Sequence, residues 1–203
     1  WVKLPIYSFM INAELISACI KNDKTAKKQF FESYYKKFAF IALRYSKNKT
    51  QAESIVLSGF SSVFKQLPQI KNQSNADYDK LIRDHFIISL VNEIKNIRNE
   101  YYVSSTIKAT DVKDKSYDLF TDSVYIDFRN IKEDDLIKSL QELVPSQRLA
   151  FNLHIIDGYD ISLVSTLLET NEQTIKSNIE KARFNLQKNI EKNLKIKHNE
   201  QPV

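Results

Sequence analysis

The stretch from Leu140 to Ile190 constrains this chain most, because it carries helix starts and stops at spacings that few folds can use. Pro145 stands where a helix can begin, since proline lacks the N–H that a first turn leaves unpaired anyway. Leu149, Leu153 and Ile156 then repeat at helical spacing. Asp157-Gly158 closes that segment with a residue free to take positive φ. A second helix follows, with Ile161, Val164, Leu167 and Leu168 on one face. A third places Ile175, Ile179, Ala182, Leu186 and Ile190 in one apolar stripe. Asn171 is a good N-cap for it, and Thr170-Asn171-Glu172-Gln173 also fits a capping box. The pattern predicts three helices, the last two paired as a helix-turn-helix.

The third helix leaves Thr174, Lys176, Ser177, Asn178, Lys181 and Asn185 as a polar face, with Arg183 at its flank. These are donor-rich side chains, long enough to reach phosphates and base edges from a helix in the major groove. Taken alone, a Lys/Asn-rich helix face is more often simply solvated. As the second helix of a helix-turn-helix pair, it becomes a candidate DNA-binding face.

The residues here resemble a known family. Leu143-Val144-Pro145-Ser146-Gln147-Arg148-Leu149-Ala150-Phe151, Asp157-Gly158-Tyr159, Thr174 to Asn178 and Lys181-Ala182-Arg183 look like region 4 of bacterial RNA polymerase sigma factors. The similarity is to the small extracytoplasmic-function (ECF) group. The resemblance implies contact with the upstream, minus-35 promoter element and with the polymerase flap. The chain departs from the family in carrying Glu169 at the usual turn glycine, Thr170 at an aliphatic, Leu163 at an acid and Asn178 at a common arginine.

The rest of the chain is read in the same way. Its 203 residues suit one large or two small domains, and only two glycines and four prolines favour a predominantly helical chain. Ala13 to Lys21 forms a short helix interrupted at Asn22-Asp23. Lys24 to Tyr45 carries a wide aromatic stripe of Phe30, Phe31, Tyr34, Phe38 and Tyr45. Gln51 to Leu67 buries Ile55, Val56, Phe60, Val63 and Phe64 and is expected to end at Pro68. Asp77 to about Asn99 is a fourth helix. Residues 101–135 turn acidic and rich in Ser, Thr and Asp without a sustained period, which reads as a linker. The run Glu133-Asp134-Asp135 is expected to cap a helix starting at Leu136.

The first four helices also resemble a sigma factor, in region 2. The matching residues are Leu15 to Asp23, Ala39 to Lys47, Ala52-Glu53 with Phe60, Val63, Phe64 and Leu67, and Asn92 to Lys95. This resemblance implies that the third helix binds polymerase through Glu53, Ser54, Leu57 and Ser58. It also implies that the fourth meets the downstream, minus-10 element through Asn92, Lys95, Asn96 and Arg98. Within the third helix, Ser54, Leu57, Ser58 and Gly59 depart from the family pattern, as do Leu81 and Ile88 in the fourth. Tyr101 and Tyr102, beside Lys95 and Arg98, are candidates for stacking on unpaired bases.

An enzyme is not indicated. His85, His154 and His198 lie apart from one another and from Cys19, so no metal-ligand spacing occurs. Two glycines leave no phosphate loop. No catalytic residue, metal or cofactor is expected. His154, among apolar neighbours, reads as a packed residue. One cysteine fits a reducing cytoplasm, a net charge of +5 with pI near 9.1 is compatible with nucleic acid, and no apolar run is long enough for a membrane span.

The expected fold is all-α, with two small helical domains joined by a flexible linker. The domains are a four-helix region-2-like unit at 12–100 and a helix-turn-helix region-4-like unit at 136–192. An extension (1–11), the linker (101–135) and a tail (193–203) complete the chain. The expected function is that of a sigma factor directing RNA polymerase to promoters. The alternative is a polymerase-independent helix-turn-helix regulator. Core RNA polymerase and promoter DNA are the expected partners, and the resemblance adds an anti-sigma protein.

Overall fold

The computed structural model describes residues 11–73, 77–96 and 131–199, with side chains described as far as Leu194. Regular structure among them is helical: α1 (Ala13–Ile20), α2 (Lys24–Tyr45), α3 (Lys49–Lys71), α4 (Tyr78–Asn96), α5 (Glu133–Gln141), α6 (Pro145–Phe151), a π-helical turn (Asn152–Ile156), α7 (Ile161–Leu167) and α8 (Glu172–Asn199). The all-α class expected from the sequence is the class observed. Most of the expected linker, with Arg98, Tyr101 and Tyr102, lies outside the described residues, as do the extension up to residue 10 and the last of the tail. The chain divides into two compact units. One holds the residues up to Ala42 with Lys49–Glu93, and the other holds Leu43–Asn48 with the residues from Ile94 on. The last residues of α2 and α4 therefore belong to the second unit.

In the first unit, α1 begins at Asn12, whose side chain accepts the Leu15 N–H at 2.9 Å. It stops because Asn22 takes a φ of 67°, a region that asparagine tolerates better than most residues. Asp23 then caps α2 by accepting the Ala26 N–H at 2.8 Å. The core joins Phe30, Tyr34 and Phe38 of α2 to Val56, Phe60 and Val63 of α3 and to Ile82, Phe86 and Leu90 of α4. Phe38 and Phe86 stack with centroids 3.9 Å apart and planes 11° from parallel. Gly59 makes that stack possible, because a Cβ there would stand 2.6 Å from Phe86 Cδ2 and closer still to its Cε2.

The third helix does not end at Pro68 but continues to Lys71 with the proline inside it. An interior proline costs roughly 3 kcal/mol. The extra turn buries Ile70 completely, and burying an isoleucine returns about 1.5–3 kcal/mol. The two effects are comparable, so a breaker signal alone could not decide the boundary.

In the second unit, α5 starts at Glu133, so the three acids occupy its first turn instead of preceding it. They still face the positive end of the helix dipole. Pro145 is the first residue of α6, as its chemistry favours. Arg148 is 2% exposed. Its Nε donates to the Tyr45 carbonyl at 2.8 Å, and its Nη1 donates to those of Gln141 and Leu143 at 2.9 and 2.6 Å. Beyond α6 the helix widens into the π turn, where the Asp157 N–H reaches the Asn152 carbonyl at 2.8 Å. Gly158 then ends the segment with φ at 76°, and the Tyr159 N–H closes back on the Leu153 carbonyl at 3.0 Å. His154 Nδ1 donates to the Tyr159 carbonyl at 2.8 Å, so this half-buried residue serves the same turn.

A buried polar cluster completes the unit. Arg44 forks onto Asp157, Nη2 to Oδ1 at 2.6 Å and Nη1 to Oδ2 at 2.9 Å. The Tyr45 hydroxyl donates to Asp157 Oδ2 at 2.7 Å. Asn152 accepts from Arg44 Nη1 at 3.0 Å and donates to the Arg44 and Arg148 carbonyls.

Two outcomes are expected. Gly59→Ala gains up to about 1 kcal/mol in helix propensity, but displacing the stacked Phe86 ring costs about 1–3 kcal/mol. Urea denaturation should therefore show a lower midpoint. The second concerns Tyr45, whose phenol is pushed well above its ordinary value by burial and then by the Asp157 carboxylate, with Tyr159 adding to this and Arg44 opposing it. The folded chain holds that proton more tightly than the unfolded one. The resulting stability is present below pH ~10, the ordinary phenol value, and is lost as pH rises above it. Thermal melts between pH 8 and 11 should show this decline. Tyr45→Phe should flatten it, leaving the share of Tyr34 and Cys19, both also raised chiefly by burial.

Candidate nucleic-acid interface

The start of α8 is fixed by Asn171, whose Oδ1 accepts the Thr174 N–H at 2.8 Å. The cap is thus Asn171 itself, and the capping box beginning at Thr170 does not form, since α8 opens at Glu172. Along the inner side, Ile175, Ile179, Ala182 and Ile190 are buried. Leu186 packs with Phe151 against Leu140, Leu143 and Ala182. This is the stripe that the sequence spacing predicts.

Beside the stripe runs a ladder of asparagines. Asn185 donates to Gln147 Oε1 at 2.9 Å, Asn189 to the Ser139 carbonyl at 3.0 Å, and Asn193 to Ser139 Oγ at 3.0 Å. Asn185 therefore joins the helix to its own unit, where the sequence reading placed it on the outer polar face. Its spacing of four from Asn189, and theirs from Asn193, was the available signal, since residues so spaced share one side of a helix.

The six upstream-element candidates do not form one face. At about 100° per residue, Thr174, Asn178 and Lys181 fall together on one flank of the buried stripe, with Ser177 beside them. Lys176 and Arg183 fall on the other. Thr174, Lys176 and Arg183 are exposed, while Ser177, Asn178 and Lys181 are half-buried. The two flanks differ in charge. Glu172, Glu180 and Glu191 share the Lys176 side, and Arg183 is paired with Glu180 at 3.0 Å. The Thr174 flank carries no acid and continues along the helix through Lys188 and Lys192. Lys188 lies over the Phe184 ring at 4.3 Å, and Lys192 is 3.6 Å from Glu142.

The other candidates are distributed as follows. Asn92 and Asn96 are exposed on α4. Lys95, between them, is turned to α7: its Nζ donates to the Leu167 carbonyl at 2.7 Å and to Glu169 Oε1 at 2.6 Å. Arg98 lies outside the described residues. On α3, Glu53, Ser54, Leu57 and Ser58 are brought onto one exposed face, with Leu57 at 68% exposure. Glu53 is loosely paired with Lys49 at 3.9 Å, and Ser58 donates to Glu93 in the first unit. Among the described residues no cluster of His, Cys, Asp and Glu could hold a metal ion, and no helix is long and apolar enough to cross a membrane.

No family profile and no curated protein sequence matches the chain. Solved structures do show similarity. One is the co-crystal structure of the sigma factor RpoE in complex with the anti-sigma factor NepR from Bartonella quintana. It has 18% identity, covering 81% of this chain and 96% of that one, with a TM-score of 0.48. Another is CnrH in complex with the cytosolic domain of CnrY, at 15% identity, covering 86% and 94%, with a TM-score of 0.44.

The asparagine ladder yields a prediction that separates seat from surface. Asn185→Ala should lower the thermal stability of the chain by about 1 kcal/mol, the net worth of a hydrogen bond whose partner is left half-buried. It should leave affinity for duplex DNA unchanged. Reduced DNA affinity without a stability change would return Asn185 to the outer face.

Proposed function

We propose that the chain is a diverged sigma factor of the ECF group, which brings core RNA polymerase to promoters by sequence-specific DNA binding. The observation that carries the reading is the acid-free flank of α8, where Thr174, Ser177, Asn178 and Lys181 stand together. A duplex presents a dense row of phosphates and a groove lined with acceptors. A helix flank approaching it gains from amide, hydroxyl and ammonium donors and loses from any carboxylate. The flank with Lys176 and Arg183 has its charge answered by Glu172 and Glu180, so it contributes less. The motif residues of the sequence support the same reading. On it, Asn92 and Asn96 meet the downstream element, and the exposed Glu53, Ser54, Leu57 and Ser58 face of α3 meets polymerase. The work is binding, with no bond chemistry and no cofactor, in the cytoplasm where promoter DNA lies. An anti-sigma protein is the regulatory partner that this reading implies.

A polymerase-independent regulator would need α8 but not an α3 docking face. The two readings part at the exposed α3 face, which polymerase covers in the first and nothing need cover in the second, since a single exposed apolar side chain such as Leu57 is ordinary on a protein surface. Stoichiometric core polymerase on the tagged chain, with run-off transcription from a selected promoter, tests the first. Polymerase that neither co-purifies nor initiates, with DNA binding intact, would select the regulator.

Within α8 the flanks make separable predictions. Lys181→Ala should weaken binding to matched and scrambled duplexes about equally and reduce the salt slope by about one unit, as for a phosphate contact. Asn178→Ala should weaken the matched duplex alone by about 1–3 kcal/mol, as for a base-edge contact. Lys176→Ala should have the smaller effect. Fluorescence anisotropy across a salt titration reads all three, and dominance of Lys176 would place the groove on the opposite flank.

A further inference from the structure

The turn between α7 and α8 contains a residue in an unfavourable conformation, held by a side chain from elsewhere in the second unit. Glu169 has φ of 52°, the left-handed region where a Cβ crowds the backbone and glycine is the usual occupant. Leu167, two residues earlier, is the last residue of α7, and its carbonyl has no partner within the helix. Lys95 answers both. Its Nζ lies 2.7 Å from the Leu167 carbonyl and 2.6 Å from Glu169 Oε1, and its side chain is only 12% exposed. A cation at that point also complements the negative end of the α7 dipole. Two residues after Glu169 comes Asn171, the cap that fixes where α8 begins. The direction of the turn therefore sets where Thr174 and Asn178 are presented.

We propose that Lys95 is a positioning residue for the DNA-reading helix, acting through Glu169 and the Leu167 carbonyl, and not itself a contact to DNA. This rests on the reading of α8 given above and assigns Lys95 a place in it. The side chain stands in for the conformational freedom that a glycine at residue 169 would supply. Lys95 and Glu169 should accordingly behave as one unit, with loss of the lysine tolerated once the glutamate is replaced by glycine.

The test uses the full chain, with a duplex recovered by in vitro selection and a scrambled duplex of equal length. Lys95→Met should weaken the selected duplex about three- to tenfold, leave the scrambled one unchanged and preserve the salt slope. Lys95→Arg should restore affinity, and Glu169→Gly in the Lys95→Met background should restore most of it. Equal weakening of both duplexes with a slope reduced by about one unit would make Lys95 a phosphate contact and overturn the proposal. So would unchanged binding in Lys95→Met, or failure of Glu169→Gly to rescue. Amide hydrogen exchange of residues 168–174 reads the turn without DNA. Faster exchange in Lys95→Met, reversed by Glu169→Gly, is expected, and unchanged exchange would overturn the proposal. If the wild-type chain selects no duplex, the reading of α8 fails, while the exchange result still decides the role of Lys95.

Discussion

The second unit depends on a buried arginine. Arg148 carries its charge where water cannot reach, and an unpaired charge there would cost several kcal/mol. Among the groups it meets are three carbonyls, of Tyr45 at the end of α2 and of Gln141 and Leu143 where α5 turns into α6. Helix ends leave such oxygens unsatisfied, and a rigid fork of donors can reach several at once. One side chain thereby serves three carbonyls at two places, the end of α2 and the turn between α5 and α6. A lysine could supply the charge but not the planar spread of donors.

Around it the polar cluster of Arg44, Tyr45, Asn152 and Asp157 is nearly closed to solvent, with the two charged side chains 7% and 1% exposed. Such an ion pair adds little net stability, because desolvation offsets most of the attraction. Its geometric demand is high, since a fork, a phenol and an amide must all meet Asp157 and its neighbours. The first unit is organised differently. Its aromatic core is joined by contact area and ring stacking, with Gly59 yielding the space that Phe86 occupies.

What could be read from the sequence was what is local. Asn171 and Pro145 act within one turn of chain, Gly158 needs only its own φ, and the stripe from Ile175 to Ile190 is periodic. These were all legible, as was the all-helical class. Pro68 was misread because the burial of Ile70 offsets it. The Arg44 contacts to Asn152 and Asp157, the Tyr45 carbonyl under Arg148 and the partners Gln147 and Ser139 of the asparagines lie dozens of positions away, which no short window of sequence contains. The candidates on α8 read as one outer polar face, whereas they flank the buried stripe on two sides, with Ser177, Asn178 and Lys181 half-buried. Their division into two flanks could have been found by tracking the three acids of the helix as closely as the bases.

The asparagine ladder has a consequence for how this helix can change over time. Apolar stripes tolerate sliding and rotation, because one aliphatic contact resembles the next. Amide groups bonded to Gln147 and to both oxygens of Ser139 do not, since a shift of one residue breaks all three together. The register of α8 is set by Asn185, Asn189 and Asn193, about two turns or more further along the helix than Thr174, Ser177 and Asn178. Substitutions at Asn178, Ser177 or Thr174 can therefore accumulate without moving the scaffold beneath them. A lineage could exchange one preferred DNA sequence for another while inheriting the same helix in the same place.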